Sequence, residues 1–302
     1  MNSRTFALVA VFMVQLLYGL TFTFAKGVIN EGLIAPFGFI LVRIIGATAL
    51  FWILSLFTKN EKIERKDFLI LFAGSIFGIA LNMLTFFKGL EYTTPINASV
   101  IMITAPIIVL LLSAVFLAEK LTLLKVLGVF LGFSGAIILS LYGSSGTSVG
   151  SNVPLGNLLV FINAASYSVY IIIIKKVTAK YHPFSFIKWL FLFGLILVLP
   201  FGYNELTQVE IYNFTPYDFF AVGFVVVGAT FGTYLLNPIG LRHLKASTVT
   251  AFIYLQPVIA AIFAIAMGAD SLNIIKILAA AIIFSGVYLV TKKKKEKQES
   301  IL

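Results

Sequence analysis

Cysteine is absent from the 302-residue chain, which excludes a disulfide framework and thiolate metal sites. Charge is scarce as well. Asp, Glu, Lys and Arg make up 11% of the residues, where a soluble domain carries about a quarter. A water-facing surface cannot be built from so little. The two histidines, His182 and His243, fall at the ends of apolar runs and read as interface residues rather than ligands. Gly146-Thr147-Ser148-Val149-Gly150 matches G-x-S-x-G, but a nucleophile elbow needs a strand-turn-helix setting, and this one lies in a Gly/Ser-rich stretch. The sequon Asn213-Phe214-Thr215 is followed by Pro216 and carries meaning only in a eukaryotic secretory pathway.

What is present is apolar sequence. Hydrophobic residues are 60% of the chain and the mean hydropathy is +1.04. Ten runs are long enough to cross a bilayer as helices, at about 20 residues each: 6–29, 36–57, 67–89, 94–117, 123–142, 156–174, 183–202, 216–240, 246–267 and 273–290. Pro36, Pro183 and Pro216 sit at helix starts, where proline is tolerated. The first run is too long for a signal-peptide core and lacks a small-residue cleavage site after it. A net charge of +10 invites a nucleic-acid reading, but the basic residues lie between runs. Lys292 to Lys295 directly follow the last run, where anionic headgroups sit.

The chain also repeats itself. Gly89-Leu90 aligns with Gly240-Leu241, Pro106 with Pro257, Glu119 with Asp270, Lys125 with Lys276, and Phe133-Ser134-Gly135 with Phe284-Ser285-Gly286. The offset is constant and equals half of the 302 residues. We therefore expect an all-α integral membrane protein with ten transmembrane helices arranged as two inverted five-helix repeats, 1–142 and 155–291. A Gly/Ser linker, 143–154, joins them, and a basic tail, 292–302, follows.

Orientation follows from lysine and arginine. With the N-terminus inside, all but four of the 22 basic residues are cytoplasmic. The four are Lys26, Lys88 and Lys276 outside and Arg43 within the second span. Both termini are then cytoplasmic in a multi-pass cell-membrane protein. An odd number of spans per half makes equivalent loops face opposite sides. The charges agree, since Glu91 and Thr94 become Arg242 and Lys245 while Lys120 becomes Ser271. A duplicated, inverted membrane half is the mark of a secondary transporter working by alternating access.

Particular motifs carry a further likeness: Gly89-Leu90-Glu91-Tyr92, Ala105-Pro106 with Glu119-Lys120 beyond it, and the Gly128, Gly132, Gly135 series. In the first span Tyr18-Gly19-Leu20-Thr21-Phe22 precedes Lys26. With these the chain resembles the drug/metabolite transporter superfamily, specifically its EamA-domain members. It departs from them at Tyr18, where tryptophan is usual, and at Gln256 and Asp270-Ser271 in the second half. The resemblance implies a small-molecule carrier for amino acids and other metabolites, or for sugars or drug-like compounds.

Polar side chains inside a bilayer turn into the bundle or a wet cavity, because facing lipid is costly. Gln15, Tyr18 and Phe22 form one stripe of the first span, Asn82 and Thr85 share a face of the third, and Asn97 and Thr104 share one of the fourth. In the second half Asn163, Tyr167 and Tyr170 line the sixth span, Thr230, Thr233, Tyr234 and Asn237 the eighth, and Ser247, Thr250 and Tyr254 the ninth. Spans 1, 3, 4, 6, 8 and 9 are thus expected around the pathway, with Gln15, Tyr18, Phe22, Arg43, Asn82, Asn97, Thr104, Asn163, Tyr167, Tyr170, Thr233, Asn237, Thr250 and Tyr254 as candidate substrate contacts. Interhelical hydrogen bonding, worth ~0.6 kcal/mol apiece, is the plainer role of such groups. Pro106 and Pro257 are candidate kinks that shape the cavity or flex during gating. Glycine pairs 74/78, 128/132 and 228/232 read as close packing.

Arg43 is the one basic residue well inside a span, and it serves either an ion pair or the attraction of an anion. Glu31, Glu91, Glu119, Asp218 and Asp270 all fall at span ends. The lack of a deep carboxylate argues against an exporter of organic cations and favours zwitterionic, anionic or neutral solutes. We expect a small-molecule substrate, the lipid bilayer as surroundings, no nucleic acid, no cofactor or metal, and a monomer or homodimer. An exporter of amino acids or related compounds is the leading reading, with a drug, sugar or nucleoside transporter as alternative. A lipid-processing enzyme would need clustered His, Asp or Glu, and a channel would need a filter or a charged pore stripe. Neither pattern is present. Tags at the C-terminus and within 59–66 should be cytoplasmic, and tags within 144–152 external. An external C-terminal tag would overturn the orientation.

Overall fold

The computed structural model describes residues 2–30, 32–58, 61–93, 98, 101–142, 152–266 and 274–292, with the backbone alone for 22–30, 139–142, 260, 264 and 276. Glu31, Lys59, Asn97, most of the expected linker, Asp270-Ser271 and the basic run beyond Lys292 lie outside the described residues, as do the side chains of Phe22, Lys26 and Lys276.

The described chain is helical. The first half contains α1 (Ser3–Asn30), α2 (Pro36–Phe57), α3 (Arg65–Tyr92), α4 (Ala105–Phe116) and α5 (Leu123–Tyr142). The second contains α6 (Val153–Lys180), α7 (Pro183–Thr207), α8 (Pro216–His243), α9 (246–266) and α10 (Ile274–Thr291). Seven of these stretches are long and apolar enough to cross a membrane, and shorter apolar helices complete the set.

Local chemistry sets the starts. Pro36, Pro183 and Pro216 open α2, α7 and α8. Thr215 and Asp218 close a reciprocal capping box on α8, and Asn152 accepts from the Leu155 N–H to cap α6. Glu205, near the end of α7, accepts from the Phe37 and Gly38 N–H groups at 2.7 and 2.8 Å, so a carboxylate covers the start of α2. Several helices outrun their apolar windows. The sixth was expected over 156–174 but continues to Lys180, because hydropathy marks the lipid-covered part while helical hydrogen bonding carries on into the polar zone.

Four departures from regular helix occur at matched places. Ile76–Ala80 in α3 and Val225–Gly232 in α8 are π-helical, and the two segments correspond under the repeat. In α9 a 3-10 turn, Phe252–Leu255, precedes Pro257. A turn at residues 103–104 likewise precedes Pro106.

Packing reveals the inverted symmetry. Helix α5 pairs with α10 and α2 with α7, each with its own counterpart. Helix α3 pairs with α6 as α8 pairs with α1, and α4 meets α6 as α9 meets α1. Glycines fix the register. A Cβ at Gly135 would press on Ala279 and Ile283, and one at Gly286 would fall 2.5 Å from the Gly132 nitrogen and 2.6 Å from the Gly128 carbonyl. Each contact maps onto the other under the half-chain offset. Gly89 rests on Gly156 and Val160, whereas Gly240 rests on Ala7 and Val11. The match of α1 to α6 is therefore two residues shorter than that of the other helices. Under this register Tyr18 corresponds to Tyr167.

Outward-facing apolar residues such as Leu56, 77% exposed, and Leu69, 75% exposed, form the surface that lipid covers. Gly286→Val should lower the thermal midpoint and monodispersity of the purified protein, because backbone atoms of α5 cannot yield. Gly223→Ala, with nothing within 4 Å of the new carbon, should leave both unchanged. Equal behaviour of the two variants would refute the α5–α10 contact.

Candidate functional site

The paired π segments meet the centre of the bundle. A π turn shifts the helical ladder from i→i+4 to i→i+5 bonds and widens the helix locally. The Gly78 carbonyl accepts from the Tyr234 hydroxyl, and the Val225 carbonyl accepts from the Thr230 hydroxyl at 2.8 Å. Only glycine fits at 78, since the Tyr170 ring lies directly where a Cβ would stand.

Arg43 of α2 enters this region. It is 7% exposed, its Nε donates to Thr230 Oγ1 at 3.0 Å, and its guanidinium lies 5.9 Å from the Phe87 ring centroid. Tyr18 and Tyr234 are its polar neighbours. Among the described residues no carboxylate pairs with it; the ion pairs there are Lys66–Glu64, Lys88–Glu91, Lys125–Glu119 and Lys180–Asp67. The ion-pair alternative for Arg43 thus has no described partner. Its presence also widens the expected ring of helices, because α2 joins α1, α6 and α8 around the centre.

The other candidates divide. Tyr18 faces Thr233, whose hydroxyl also bonds the Ala229 carbonyl. Tyr167 takes a hydrogen bond of 3.0 Å from Asn237 Nδ2. Tyr170 tilts against Tyr167 and Tyr234, with ring centroids 6.1 and 5.9 Å away. Asn163 Nδ2 donates to the Asn82 carbonyl, joining α6 to α3. Gln15 pairs with Gln256 at 2.6 Å, so the residue before Pro257 is a site neighbour that its departure from the family pattern alone did not identify. Thr104 bonds the Ile101 carbonyl in the turn before α4, and Thr250 bonds the Ala246 carbonyl within α9. Tyr254 stands over Gly132 of α5. Asn97 and the side chain of Phe22 lie outside the described residues.

A second polar cluster was missed. Lys125, counted from sequence among the cytoplasmic basic residues at the start of the fifth run, is buried. Its Nζ lies 2.9 Å from Glu119 Oε2 and 2.7 Å from Ser247 Oγ, while Glu119 Oε1 accepts from the Ala246 N–H at 2.7 Å. The cluster ties the α4–α5 joint of one half to the start of α9 in the other. The nearest sequence signal was the recurrence of an acid and a lysine six residues apart in both halves, Glu119/Lys125 and Asp270/Lys276. Burial pulls the Glu119 carboxyl upward. Hydrogen bonds from Ser247 and Lys125, the Lys125 charge and the Ala246 N–H outweigh it and hold the group below the usual glutamate range.

This architecture can be set beside known proteins. A family model described as "EamA-like transporter family" matches residues 5–141 and again 154–292. The chain belongs to the EamA-like transporter family. The two matched copies start two residues closer together than they end, the same shift that the glycine contacts show in α1 and α6. Among relatives, the uncharacterized transporter YyaM of Bacillus subtilis (strain 168) is 25% identical over 291 residues, spanning 94% of each chain. An uncharacterized transporter of Archaeoglobus fulgidus is 26% identical over 280 residues, covering 92% of this chain and 95% of its own. A crystal structure aligns over 95% of this chain and 97% of its own at TM-score 0.79 and 18% identity, a likeness of fold. The protein is a multi-pass membrane transporter of this family.

The Glu119 cluster yields a measurable consequence for the transporter. Lys125→Met should be destabilising by roughly 3–5 kcal/mol, because it strands a buried carboxylate, and adding Glu119→Met should recover most of the loss. A carboxyl held low contributes stability above the ordinary glutamate range, and that contribution is lost as pH falls through the depressed value. Thermal melts of the wild type should therefore weaken on acidification, and Glu119→Gln should flatten the dependence. A double variant as unstable as Lys125→Met would exclude the pairing.

Proposed function

We propose that this transporter is a secondary carrier that exports amino acids or related compounds across the cell membrane by alternating access, with both termini in the cytoplasm. The observation that carries the substrate class is Arg43: a buried cation without a described carboxylate partner, set among tyrosines where a carboxylate would complete it. An uncompensated charge in a low-dielectric core is costly, and an anionic group supplied by the substrate removes that cost. The rings of Tyr18, Tyr167, Tyr170 and Tyr234 supply apolar walls with a few orienting hydroxyls, the usual composition of a small-molecule site. Tyr18 and Tyr167 come from equivalent positions of opposite halves, which suits a substrate held on the pseudo-symmetry axis.

The inverted repeat supports alternating access, since two halves of opposite topology can exchange conformations about a fixed site. The Glu119–Lys125–Ser247 cluster then holds the halves together at the end that carries most basic loops, the proposed cytoplasmic side.

Purified protein in proteoliposomes should show saturable counterflow of one or more amino acids. Arg43→Gln should raise the half-saturation concentration at least tenfold, the loss of a charged hydrogen-bonding pair, while expression and monodispersity persist. Ala at Tyr18 or Tyr167 should raise it too, and Phe less so. Saturable counterflow of sugars, nucleosides or organic cations but of no amino acid would replace this substrate class. Non-saturable flux would point to a channel.

A further inference from the structure

The polar cluster beside Arg43 has a second, opposite deficit. Asn163 Oδ1, Asn237 Oδ1 and the Tyr170 hydroxyl are buried and have no hydrogen-bond partner among the described residues. For Asn163 the amide orientation is dictated by chemistry. Its other atom meets the Asn82 carbonyl, and only an NH2 group can donate there, so the bare atom is an acceptor. Asn237 meets the Tyr167 hydroxyl, which can give or take, so its free atom follows the needs of a ligand.

Asn163, Tyr167 and Tyr170 share one face of α6, at spacings of four and three. Through Tyr234, whose ring neighbours Tyr170, this face meets the Thr230 turn that holds Arg43. Along α8, Thr230 and Asn237 are roughly 10 Å apart. One end of the cluster therefore offers a cation short of an anion, and the other offers acceptors and tyrosine faces short of a donor.

We infer that Asn163 Oδ1, with Asn237 and the Tyr167 and Tyr170 rings, forms a subsite for a primary ammonium group, which makes the substrate a free α-amino acid rather than a plain carboxylate. The fit is one of length and charge. The ammonium and carboxylate of an α-amino acid are about 3 Å apart, and a hydrogen bond of about 2.9 Å at each end gives a span of roughly 9 Å between protein groups. An ammonium brings three donors for Asn163, Asn237 and the Tyr170 oxygen and prefers the face of an aromatic ring.

This inference rests on the proposed amino-acid reading, and the test separates the two. Detergent-purified full-length protein is titrated with the twenty common L-amino acids, read as thermal shift and then as Kd. The tightest binder is compared with its des-amino acid, which keeps the carboxylate, and its decarboxylated amine, which keeps the ammonium. In the wild type each truncated analogue should bind roughly ten- to a hundredfold more weakly than the parent. In Asn163→Leu the parent and the des-amino acid should bind alike, while the preference over the amine persists. Tyr170→Phe, which removes only the hydroxyl, should show a smaller loss in the same direction. Should Asn163→Leu fail to fold, the wild-type analogue series and Tyr170→Phe decide the matter. A des-amino acid that binds the wild type as tightly as its parent would overturn the ammonium subsite, leave the carboxylate reading standing, and mean that water occupies the acceptors. No shift with any amino acid would overturn both.

Discussion

In hydrocarbon a backbone carbonyl or N–H without a partner costs several kcal/mol, and this constraint decides where the helices of this protein can depart from regularity. The π segments of α3 and α8 widen the ladder to i→i+5 bonds, and side chains add hydrogen bonds to carbonyls within them. Tyr234 of α8 takes the Gly78 carbonyl of α3, and Thr230 takes the Val225 carbonyl of its own helix. These bonds also bring candidate site groups to the centre. Thr230 satisfies a carbonyl and at the same time receives the Arg43 Nε. Tyr170 lies on Gly78 because the loosened segment carries no side chain there. Irregular backbone and candidate site are the same feature seen twice.

The scaffold is symmetric where it packs and asymmetric where it would bind. Crossings through glycine recur in both halves with the same partners, α5 on α10 and α3 on α6 against α8 on α1. Tyr18 and Tyr167 also correspond. Yet Thr230, which anchors Arg43, corresponds to Ile79, and Asn163 corresponds to Val14 under the register of α1 and α6. Polar groups have thus diverged on a common frame. A site of two unlike ends suits a molecule of two unlike ends, which is the physical basis of the zwitterion reading.

Much of the fold was legible because it depends on composition summed over long windows. Twenty apolar residues, prolines at helix starts and a charge bias that inverts between repeats each reflect many positions acting together. Of the candidate site, the stripes were legible: Tyr18, Asn82, Asn163, Tyr167 and Asn237 do meet partners across helices. What escaped was pairwise and local. Lys125 lies next to a span boundary, where a lysine counts as cytoplasmic, and only the fold brings Ser247 to it and Ala246 to its partner Glu119. Gln256 was visible as an oddity, but its partner Gln15 is 241 residues away. The π segments have no signature in hydropathy, and the two-residue shift in α1 against α6 is hidden where the first helices share few identical residues.

On the proposed reading, the two polar clusters place opposite demands on the same chain. The Glu119–Lys125–Ser247 cluster is satisfied within itself: each charge has its counter-charge, and the carboxylate takes a backbone N–H besides. It can hold the halves together without a ligand. The central cluster is not satisfied, having a cation at one end and bare acceptors at the other. A ligand that completes it stabilises the conformation that surrounds it by its differential affinity for that conformation. Breaking the satisfied cluster exposes a carboxylate and an ammonium to water at the membrane surface, where solvation replaces what they lose. Breaking it costs little only at an interface, and completing the central cluster counts most deep in the bilayer. The depth of each group along the membrane normal thus suits one to act as a latch and the other as a binding site.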